Sequence, residues 1–561
     1  MSKDRAFQRA LDTCAAEPIH IIGAIQPPGV LLVYQRHGGR IVAASANAAE
    51  LFETDVQTLL GQPINTVIDT PLLDPVSEAI AHREPGPSRL AGMGNVGAFG
   101  ALYHASAHAN GDLIHIELEP AGSDSGPDEN QAVLALDRDG ASGLLQSLAQ
   151  QVQALSGYSR VMVYRFLPDA SGEVLAEALD GDLPSYLGLR YPATDIPPQA
   201  RALYLRNRVR TIADVNHTPA PVHQDPQLSA PLDMSYDVLR TVSPVHLEYL
   251  RNMGVAASMS ISLVVDGKLW GLVACHHHAP REICPRTRQA LDLLGRHASM
   301  ILDANELREQ VQREEGMRVQ RDLVEARLHG LDDPVAGLSS ALHAALAAVS
   351  ADGIVLYLGG RHLAHGSVPA PGGIDAALRW VRNRGRSTAE CTARGEDWNP
   401  DDDVQDACGV LALPLGRGVD DWLLLFRREQ RRTVTWAGRP DQAFQVDPSG
   451  NRVGPRTSFA AWEEQVQGSS IPWADRDVEL AQRLRMVLER ALSGTTALAG
   501  SHSTVERDPV AAVEAREQSA RLRRLAVLLD GASPGKARLQ RMHRLLSHLE
   551  DELGALAGNN V

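Results

Sequence analysis

From residue 286 to residue 327 the chain carries no proline and no cluster of tight-turn residues, while apolar side chains recur at helical spacing through Leu291, Leu294, Ile301 and Leu307. The pattern predicts one helix, dense in charge from Glu306 onward, that is longer than a single globular domain needs. Such a helix divides the chain, leaving the domain before it as a connecting spine or a dimer seam. A length of 561 residues agrees, being too great for one hydrophobic core and enough for three to four domains. A second segment is as restrictive. Asp182-Leu-Pro-Ser-Tyr-Leu-Gly-Leu-Arg-Tyr-Pro-Ala-Thr-Asp-Ile-Pro-Pro198 is neither helix nor central strand, because proline removes backbone donors and pushes the residue before it toward extended geometry. It is a built loop that closes on one carboxylate, Asp195.

The remaining pattern is α+β. Residues 17–120 alternate short apolar runs such as Gly29-Val-Leu-Leu-Val-Tyr34 with helical stretches and end in the strand-like Leu113-Ile-His-Ile-Glu-Leu118. A loop-rich stretch from Ala121 to Asn130 separates them from a second α+β unit, residues 138–307. Its strands read as Val161-Met-Val-Tyr-Arg-Phe166, Ala257-Ser-Met-Ser-Ile-Ser-Leu-Val-Val265 and Leu269-Trp-Gly-Leu-Val-Ala274, the last two joined by the hairpin signal Asp266-Gly267. The third unit, residues 330–492, contains a polar excursion at about 428–472 that no compact domain needs as plain loop, then returns to helix from Asp475. In the tail, residues 493–561, two helical stretches follow a linker. The second places Leu539, Met542, Leu545, Leu546, Leu549 and Leu553 on one stripe.

Charge and cysteine usage exclude several functions. A formal charge of −15 argues against nucleic acid as a partner, since phosphate binding needs a basic face. No apolar leader follows Met-Ser-Lys-Asp-Arg, and no stretch approaches the ~20 apolar residues of a membrane span, so a cytoplasmic protein without a membrane partner is expected. The cysteines are Cys14, Cys275, Cys284, Cys391 and Cys408, which in that compartment are reduced thiols rather than a disulfide framework.

Several motifs together carry a family resemblance. The loop ending at Pro198, Cys14 shortly before Glu17-Pro18, Ile25-Gln-Pro-Pro-Gly29, Ser243-Pro-Val-His-Leu-Glu-Tyr-Leu-Arg-Asn-Met-Gly254 and Cys275-His-His-His278 resemble the chromophore pocket of bacterial phytochromes, the red/far-red photoreceptors that carry biliverdin. In the excursion, Trp436-Ala-Gly438 and Gly454-Pro-Arg-Thr-Ser-Phe459 resemble the tongue motifs Trp-Gly-Gly and Pro-Arg-x-Ser-Phe of that family, the first departing at Ala437. The resemblance spans about residues 10–492. It implies an extension with the attaching cysteine at 1–16, a PAS domain at 17–120, a chromophore-binding GAF domain at 138–307, and a PHY domain at 330–492 with its tongue at about 428–472. Residues 493–561 would be a short helical C-terminal extension. The resemblance also implies a knot in which the N-terminal segment threads a loop of the GAF domain.

A linear tetrapyrrole needs cations for its propionates, polar groups for its pyrrole nitrogens and apolar packing elsewhere. The resemblance implies biliverdin joined by a thioether to Cys14, a position where a lone thiol would otherwise be an inert surface group. Asp195, with Ile196 and Pro197, would turn its carbonyl to the pyrrole N–H groups and offer its carboxylate to the tongue; the family reads Pro-Ala-Ser-Asp-Ile-Pro, and Thr194 keeps the hydroxyl. Standing alone, Asp195 reads as the cap of an Asx-type turn. Arg210 and Arg240 map onto the propionate-binding arginines, whose planar forks suit carboxylates. Ser258 and Ser260 match hydroxyls near a propionate, and Ser243 and Tyr249 also fall at the pigment. His246 and His276 match the histidines of the central and terminal rings, and Tyr164, Tyr191 and Tyr204 would enclose the isomerising ring. Tyr191 where many members have Phe, and Leu189 where some far-red-adapted members have Gln, point to a red-absorbing dark state. Trp436, Arg456 and Ser458 form the implied tongue switch: Arg456 pairs with Asp195 in one light state and Ser458 replaces it in the other, with Trp462 and Trp473 as the apolar face of a refolded helix. The Cys275–His278 run with Cys284 invites a zinc reading, but a strand sends adjacent side chains to opposite faces and no further ligands stand at metal spacing, so no metal is expected there.

The implied activity is a reversible switch by Z/E isomerisation of the bilin, relayed through the tongue and the C-terminal helices of a homodimer to a downstream signalling protein. His543-Arg-Leu-Leu-Ser547 resembles an acceptor motif of one kinase group, with Ser547 in place of Asn, yet no ATP-binding or cyclase motif follows, which argues against an enzyme. Two alternatives stay open: the photosensory part of a sensor histidine kinase whose catalytic domain is missing from this chain, and a GAF-type ligand sensor without photochemistry.

Overall fold

The computed structural model describes residues 17–80, 86–122, 136, 141–228, 230–329, 342–343, 345–346, 349–385, 389–399, 407–416, 420–440, 444–446 and 453–497. Cys14 and the helical stripe of the tail lie outside the described residues. The chain divides into two compact units, Met1–Leu307 with Val434–Glu464, and Arg308–Thr433 with Gln465–Val561.

The first unit opens with strands β1 (Ala24–Ile25), β2 (Val30–Gln35), β3 (Ile41–Ser45), β4 (Arg89–Val96), β5 (Ala101–Asn110) and β6 (Leu113–Pro120). There follow β7 (Arg160–Phe166), β8 (Gly172–Leu179), β9 (Arg190–Tyr191), β10 (Val209–Ile212), β11 (Ala220–Gln224), β12 (Ala257–Val265) and β13 (Lys268–His277). The first sheet has the order β1-β11-β3-β2-β6-β5-β4. Its core packs Leu32, Ile41, Ile114 and Ile116 against Leu72, Val76 and Ile80 of the helix Thr70–Ile80. β11 reaches this sheet from about 200 residues downstream of β1, pairing Ile25 with Ala220 and Ala24 with Pro221. Gln26 strengthens the join: its backbone N–H donates to the Leu239 carbonyl at 2.8 Å and its amide to the Thr211 and Arg240 carbonyls at 2.9 and 3.3 Å.

The second sheet contains β10-β12-β13-β7-β8-β9 and is extended by two strands of the polar excursion. Between β12 and β13, Asp266 and Gly267 take φ of 49° and 69°, the left-handed pair that a two-residue hairpin turn requires. Strand β8 alternates buried and half-buried residues along its whole length, the period of a sheet with one packed face. That face meets Leu144, Leu148 and Val152 of the helix Ala141–Ser156 and Leu291, Leu294 and Ala298 of the helix Pro285–His329. The latter runs for 45 residues and covers the turn-free stretch of the sequence.

In the second unit, β14 (Gly353–Leu358), β15 (Arg361–Gly366), β16 (Glu390–Thr392), β17 (Gly409–Pro414) and β18 (Trp422–Arg427) form a sheet in the order β15-β14-β18-β17-β16. Every residue of β17 and β18 is buried, and their side chains alternate between two cores. Leu411, Leu413, Leu423 and Leu425 meet Leu484, Val487 and Leu488 of the helix Asp475–Ala497. Val410, Trp422, Leu424 and Phe426 meet Ile374, Trp380 and Val381 of the helix Pro371–Arg382.

The polar excursion is built of β19 (Arg432–Ala437), β20 (Phe444–Val446), β21 (Val453–Pro455) and β22 (Ala461–Val466). β19 joins β9 in parallel through the Trp436–Arg190 pair, which places β19 and β22 at the edge of the second sheet. β20 and β21 pair with each other. Trp473 packs in the second unit: its ring takes the Arg427 guanidinium at 3.8 Å, its indole N–H donates to the Thr392 carbonyl, and it lies against that unit's core.

Candidate functional site

A cavity of about 210 Å³ lies in the first unit, lined by β7, β12 and β13, the turn at residues 192–197, the helices Pro198–Arg206 and Pro244–Asn252, and the entering chain at Glu17 and Ile19. Local sequence shapes its walls. Pro192 and Pro197 hold extended backbone on either side of a single tight turn, Ala193–Asp195. Pro198 then starts a helix at the position where its missing N–H costs nothing. Pro244 does the same for the second helix, capped by the Ser243 hydroxyl, which accepts from the Val245 N–H at 3.3 Å. Three residues apart on that helix, His246 and Tyr249 present stacked rings to the cavity, 6.1 Å between centroids. Along β12, Ser258 and Ser260 share one face by the two-residue period, and on β13 the cavity receives His276 while Cys275 turns into the core.

One end of the cavity is cationic. Arg210 is cradled by carbonyls: Nη1 donates to Val238 at 2.7 Å and Asp237 at 3.3 Å, and Nη2 to Thr241 at 3.1 Å. Arg240 donates from Nη1 to the Ile19 carbonyl at 2.6 Å. Both are buried, both keep an Nε without a partner, and neither forms a salt bridge among the described residues. Burial, reinforced by repulsion from Arg240, holds Arg210 well below its ordinary pKa. Two buried guanidiniums held by neutral carbonyls are chemically suited to receive an anion. Tyr204 lies near this end: burial raises its pKa against the lowering pull of a Ser260 hydrogen bond and of Arg210 and Arg240.

The middle is neutral and the far end is locked. Burial, with Arg210 adding to it, lowers the His246 pKa to about 4, and burial likewise lowers that of His276 to about 3, so both imidazoles are uncharged at neutral pH. At the far end, Asp195 Oδ2 accepts from the Tyr249 hydroxyl at 2.8 Å and from the Arg456 guanidinium. Burial raises the Asp195 pKa to about 6 although Arg456 and Tyr249 pull it down. Arg456 also sits over the Phe459 ring at 4.6 Å, and its carbonyl accepts from the Asn252 amide. Tyr164 and Tyr191 meet edge to face at 5.9 Å beside this pair.

Ile196, Pro197 and Ser243 also line the cavity, so the described pocket residues expected from the sequence converge there. Of the expected tongue residues, Arg456 meets the cavity through Asp195, whose carboxylate it holds from outside the lining, while its neighbour Pro455 lines the wall. Trp436 stays in β19 and donates its indole N–H to Glu464 at 2.7 Å, and Ser458 is exposed. Motif reading passed over two residues. Glu17 lines the cavity and accepts from the Ser243 hydroxyl at 2.9 Å. Arg201 straps the turn by donating to the Ile196 carbonyl at 2.7 Å and the Ala170 carbonyl at 2.6 Å. Neither had a distinguishing local signal. The partnerless buried atoms at the cavity, Arg210 Nε, Arg240 Nε, His276 Nδ1 and the Tyr191 hydroxyl, suit a long ligand with carboxylates at one side and ring nitrogens in the middle.

Comparison with known proteins agrees with this shape. Residues 14–121 match the PAS fold, residues 141–302 the GAF domain and residues 317–496 the phytochrome region. The chain is similar to the bacteriophytochrome of Pseudomonas aeruginosa, 37% identical over 494 residues that cover 85% of this chain and 66% of that protein. It is also similar to the bacteriophytochrome of Xanthomonas campestris pv. campestris, 36% identical over 539 residues covering 90% of this chain and 83% of that one. Among solved structures, the phytochrome photosensory core module of Stigmatella aurantiaca superposes with a TM-score of 0.73 at 34% identity, covering 87% of this chain and 99% of that one. The chain thus spans about two thirds of the length of the Pseudomonas relative.

Proposed function

The chain belongs to the phytochrome photoreceptor family, and we propose that its cavity binds biliverdin and switches reversibly between red- and far-red-absorbing states. The observation that carries this reading is one cavity lined by two buried guanidiniums, Arg210 and Arg240, and by Asp195, whose carboxylate Arg456 locks. When bound, the bilin supplies visible absorption and a light-driven Z-to-E rotation about its C–D methine bridge. The protein's own groups do the rest. Arg210 and Arg240, with Tyr204, Ser258 and Ser260, hold the two propionates. His246, His276, Tyr249 and the Asp195 carbonyl serve the pyrrole nitrogens, and Tyr164 and Tyr191 bound the moving ring. Glu17 in the cavity wall brings the chain to within three residues of Cys14, which supports Cys14 as the thioether nucleophile.

Signal leaves through the tongue. A ring rotating beside Tyr191 would disturb the Asp195–Arg456 pair, and Arg456 released from Asp195 would free the β19–β22 segment to adopt a second packing, with Ser458 as the replacement contact; a photon exceeds the few kcal/mol between two such packings. Leu293, Met300, Leu307 and Val311 are exposed on the long helix at spacings of seven and four residues, which supports a helical homodimer seam. No helix of the described residues is long and apolar enough to cross a membrane, and Cys275 and Cys408, buried and in no disulfide among the described residues, suit a reducing cytoplasm. Output passes to a signalling partner or to a kinase region of a longer polypeptide.

Assembly with biliverdin followed by difference spectroscopy under red and far-red light tests the reading. A reversible difference spectrum is expected, with zinc-enhanced bilin fluorescence on a denaturing gel that Cys14→Ser abolishes. Binding without any photoreversible signal would favour a ligand sensor instead.

A further inference from the structure

The hairpin β5–β6 brings two histidines face to face. His108 and His115 are direct cross-strand partners, their ring centroids 4.5 Å apart. The loop that precedes Arg240 lays Asp237 over them: its carboxylate oxygens lie 3.0 and 3.1 Å from His115 Nδ1, and Oδ1 lies 3.9 Å from His108 Nε2. The three side chains are sealed from solvent, at 1%, 0% and 0% exposure for His108, His115 and Asp237. Both ring nitrogens of His108 and the Nε2 of His115 meet no hydrogen-bond partner. Buried polar atoms are ordinarily satisfied, so the partnerless His108 Nε2, 3.9 Å from the carboxylate that His115 Nδ1 also faces, calls for a ligand.

We propose that His108, His115 and Asp237 form a structural site for one divalent transition-metal ion of the zinc class, which ties the β5–β6 hairpin to the loop carrying Arg240. Zinc–ligand bonds of ~2.0–2.1 Å place tetrahedral ligand atoms about 3.4 Å apart. The three ligand atoms here lie within 4.8 Å of one another, so modest side-chain rotations close the coordination sphere and leave the fourth position to water. Two imidazoles and one carboxylate suit zinc, nickel or ferrous iron over calcium or magnesium, which take oxygen ligands. Glu117, on β6 with His115, also holds this loop: its Oε1 accepts from the Leu239 N–H at 2.6 Å. The Cys275–His278 run does not make such a site, because Cys275 enters the core, His276 the cavity, and His277 accepts from the Ser159 N–H at 3.1 Å. The ion would fix residues 237–241, whose carbonyls cradle Arg210, before any ligand enters the cavity, and its presence is independent of whether that cavity binds a bilin.

The test uses the full chain, unfolded with a chelator and refolded with Co(II), whose visible d–d absorption reports tetrahedral nitrogen and oxygen coordination. About one Co(II) per chain should survive gel filtration, with Zn(II) displacing it and raising the melting temperature. His115→Gln and Asp237→Asn, close in shape to the native residues, should each lower metal affinity at least tenfold, whereas His277→Gln with His278→Gln should not. If either variant fails to refold by circular dichroism, His108→Gln, which removes a nitrogen that makes no hydrogen bond, is read in its place. Absence of retained metal in the refolded wild type, or equal retention in the refolded ligand variants, overturns the proposal.

Discussion

Replacing Arg456 with alanine would leave the Asp195 carboxylate buried without its counter-cation. The pair is enclosed, with side chains 2% and 5% exposed, and only the Tyr249 hydroxyl at 2.8 Å would remain. Removing one partner of a buried ion pair costs about 3–5 kcal/mol while the other stays charged. Protonation limits that loss. Burial already raises the Asp195 pKa to about 6 against the pull of Arg456, so without the guanidinium it rises further and the carboxyl takes up a proton nearer neutrality. Because the folded-state pKa lies above the ordinary 3.8, the contribution of Asp195 is fully present below that value and is lost as pH rises through about 6 in the wild type. In the variant the same loss moves to higher pH. Hydrogen exchange of the β19–β22 amides, corrected for intrinsic rate, follows tongue docking directly. At pH 8 protection should fall roughly 10²-fold, matching about 3 kcal/mol at 1.4 kcal/mol per tenfold, and should recover on acidification. Adding Asp195→Asn to the variant should restore most of it, since a neutral amide needs no cation. Unchanged protection in Arg456→Ala, or additive effects of the two substitutions, would refute the reasoning.

Arg210→Gln should weaken biliverdin binding by at least tenfold, the scale of a lost charged hydrogen bond at about 1.5–3 kcal/mol, in a titration followed by absorbance. Gly438→Ala should destabilise the tongue by about 1–3 kcal/mol, because Gly438 has φ of +83° and a Cβ there would meet the Ser458 carbonyl; faster exchange at β19 and β22 checks this. In the ligand-free protein the His246 ring should remain neutral down to about pH 4, so its contribution to stability falls as pH drops below the ordinary 6.5; a nitrogen chemical-shift titration with a midpoint near 6.5 would contradict that.

Much of the secondary structure was legible because its causes are local. The turn-free stretch became the helix Pro285–His329, and Asp266-Gly267 supplied the two positive φ angles of its hairpin. The prolines around Asp195 held the chain out of helix and sheet and left one tight turn. These outcomes follow from side-chain period and allowed backbone angles, which neighbours in sequence set for themselves. Motif resemblance added residues for the cavity, and the described ones converge there. Of the two states it implied for the tongue, the structure has the one with Arg456 on Asp195, with Trp436 and Ser458 away from the lining.

What only the tertiary structure decided are contacts whose partners lie far apart in the chain. Arg456 meets Asp195 across 261 residues, Gln26 meets the Arg240 carbonyl across 214, and His115 meets Asp237 across 122. No periodicity links such pairs. Each depends on a register chosen elsewhere, β1 on β11 or β19 on β9, where a slip of one residue would turn every side chain to the opposite face. The sequence alone therefore determined which local elements could form and which residue types were available to a pocket. Long-range packing decided which arginine is buried with which carboxylate, because an ion's desolvation and its pairing are properties of the assembled site rather than of the residue.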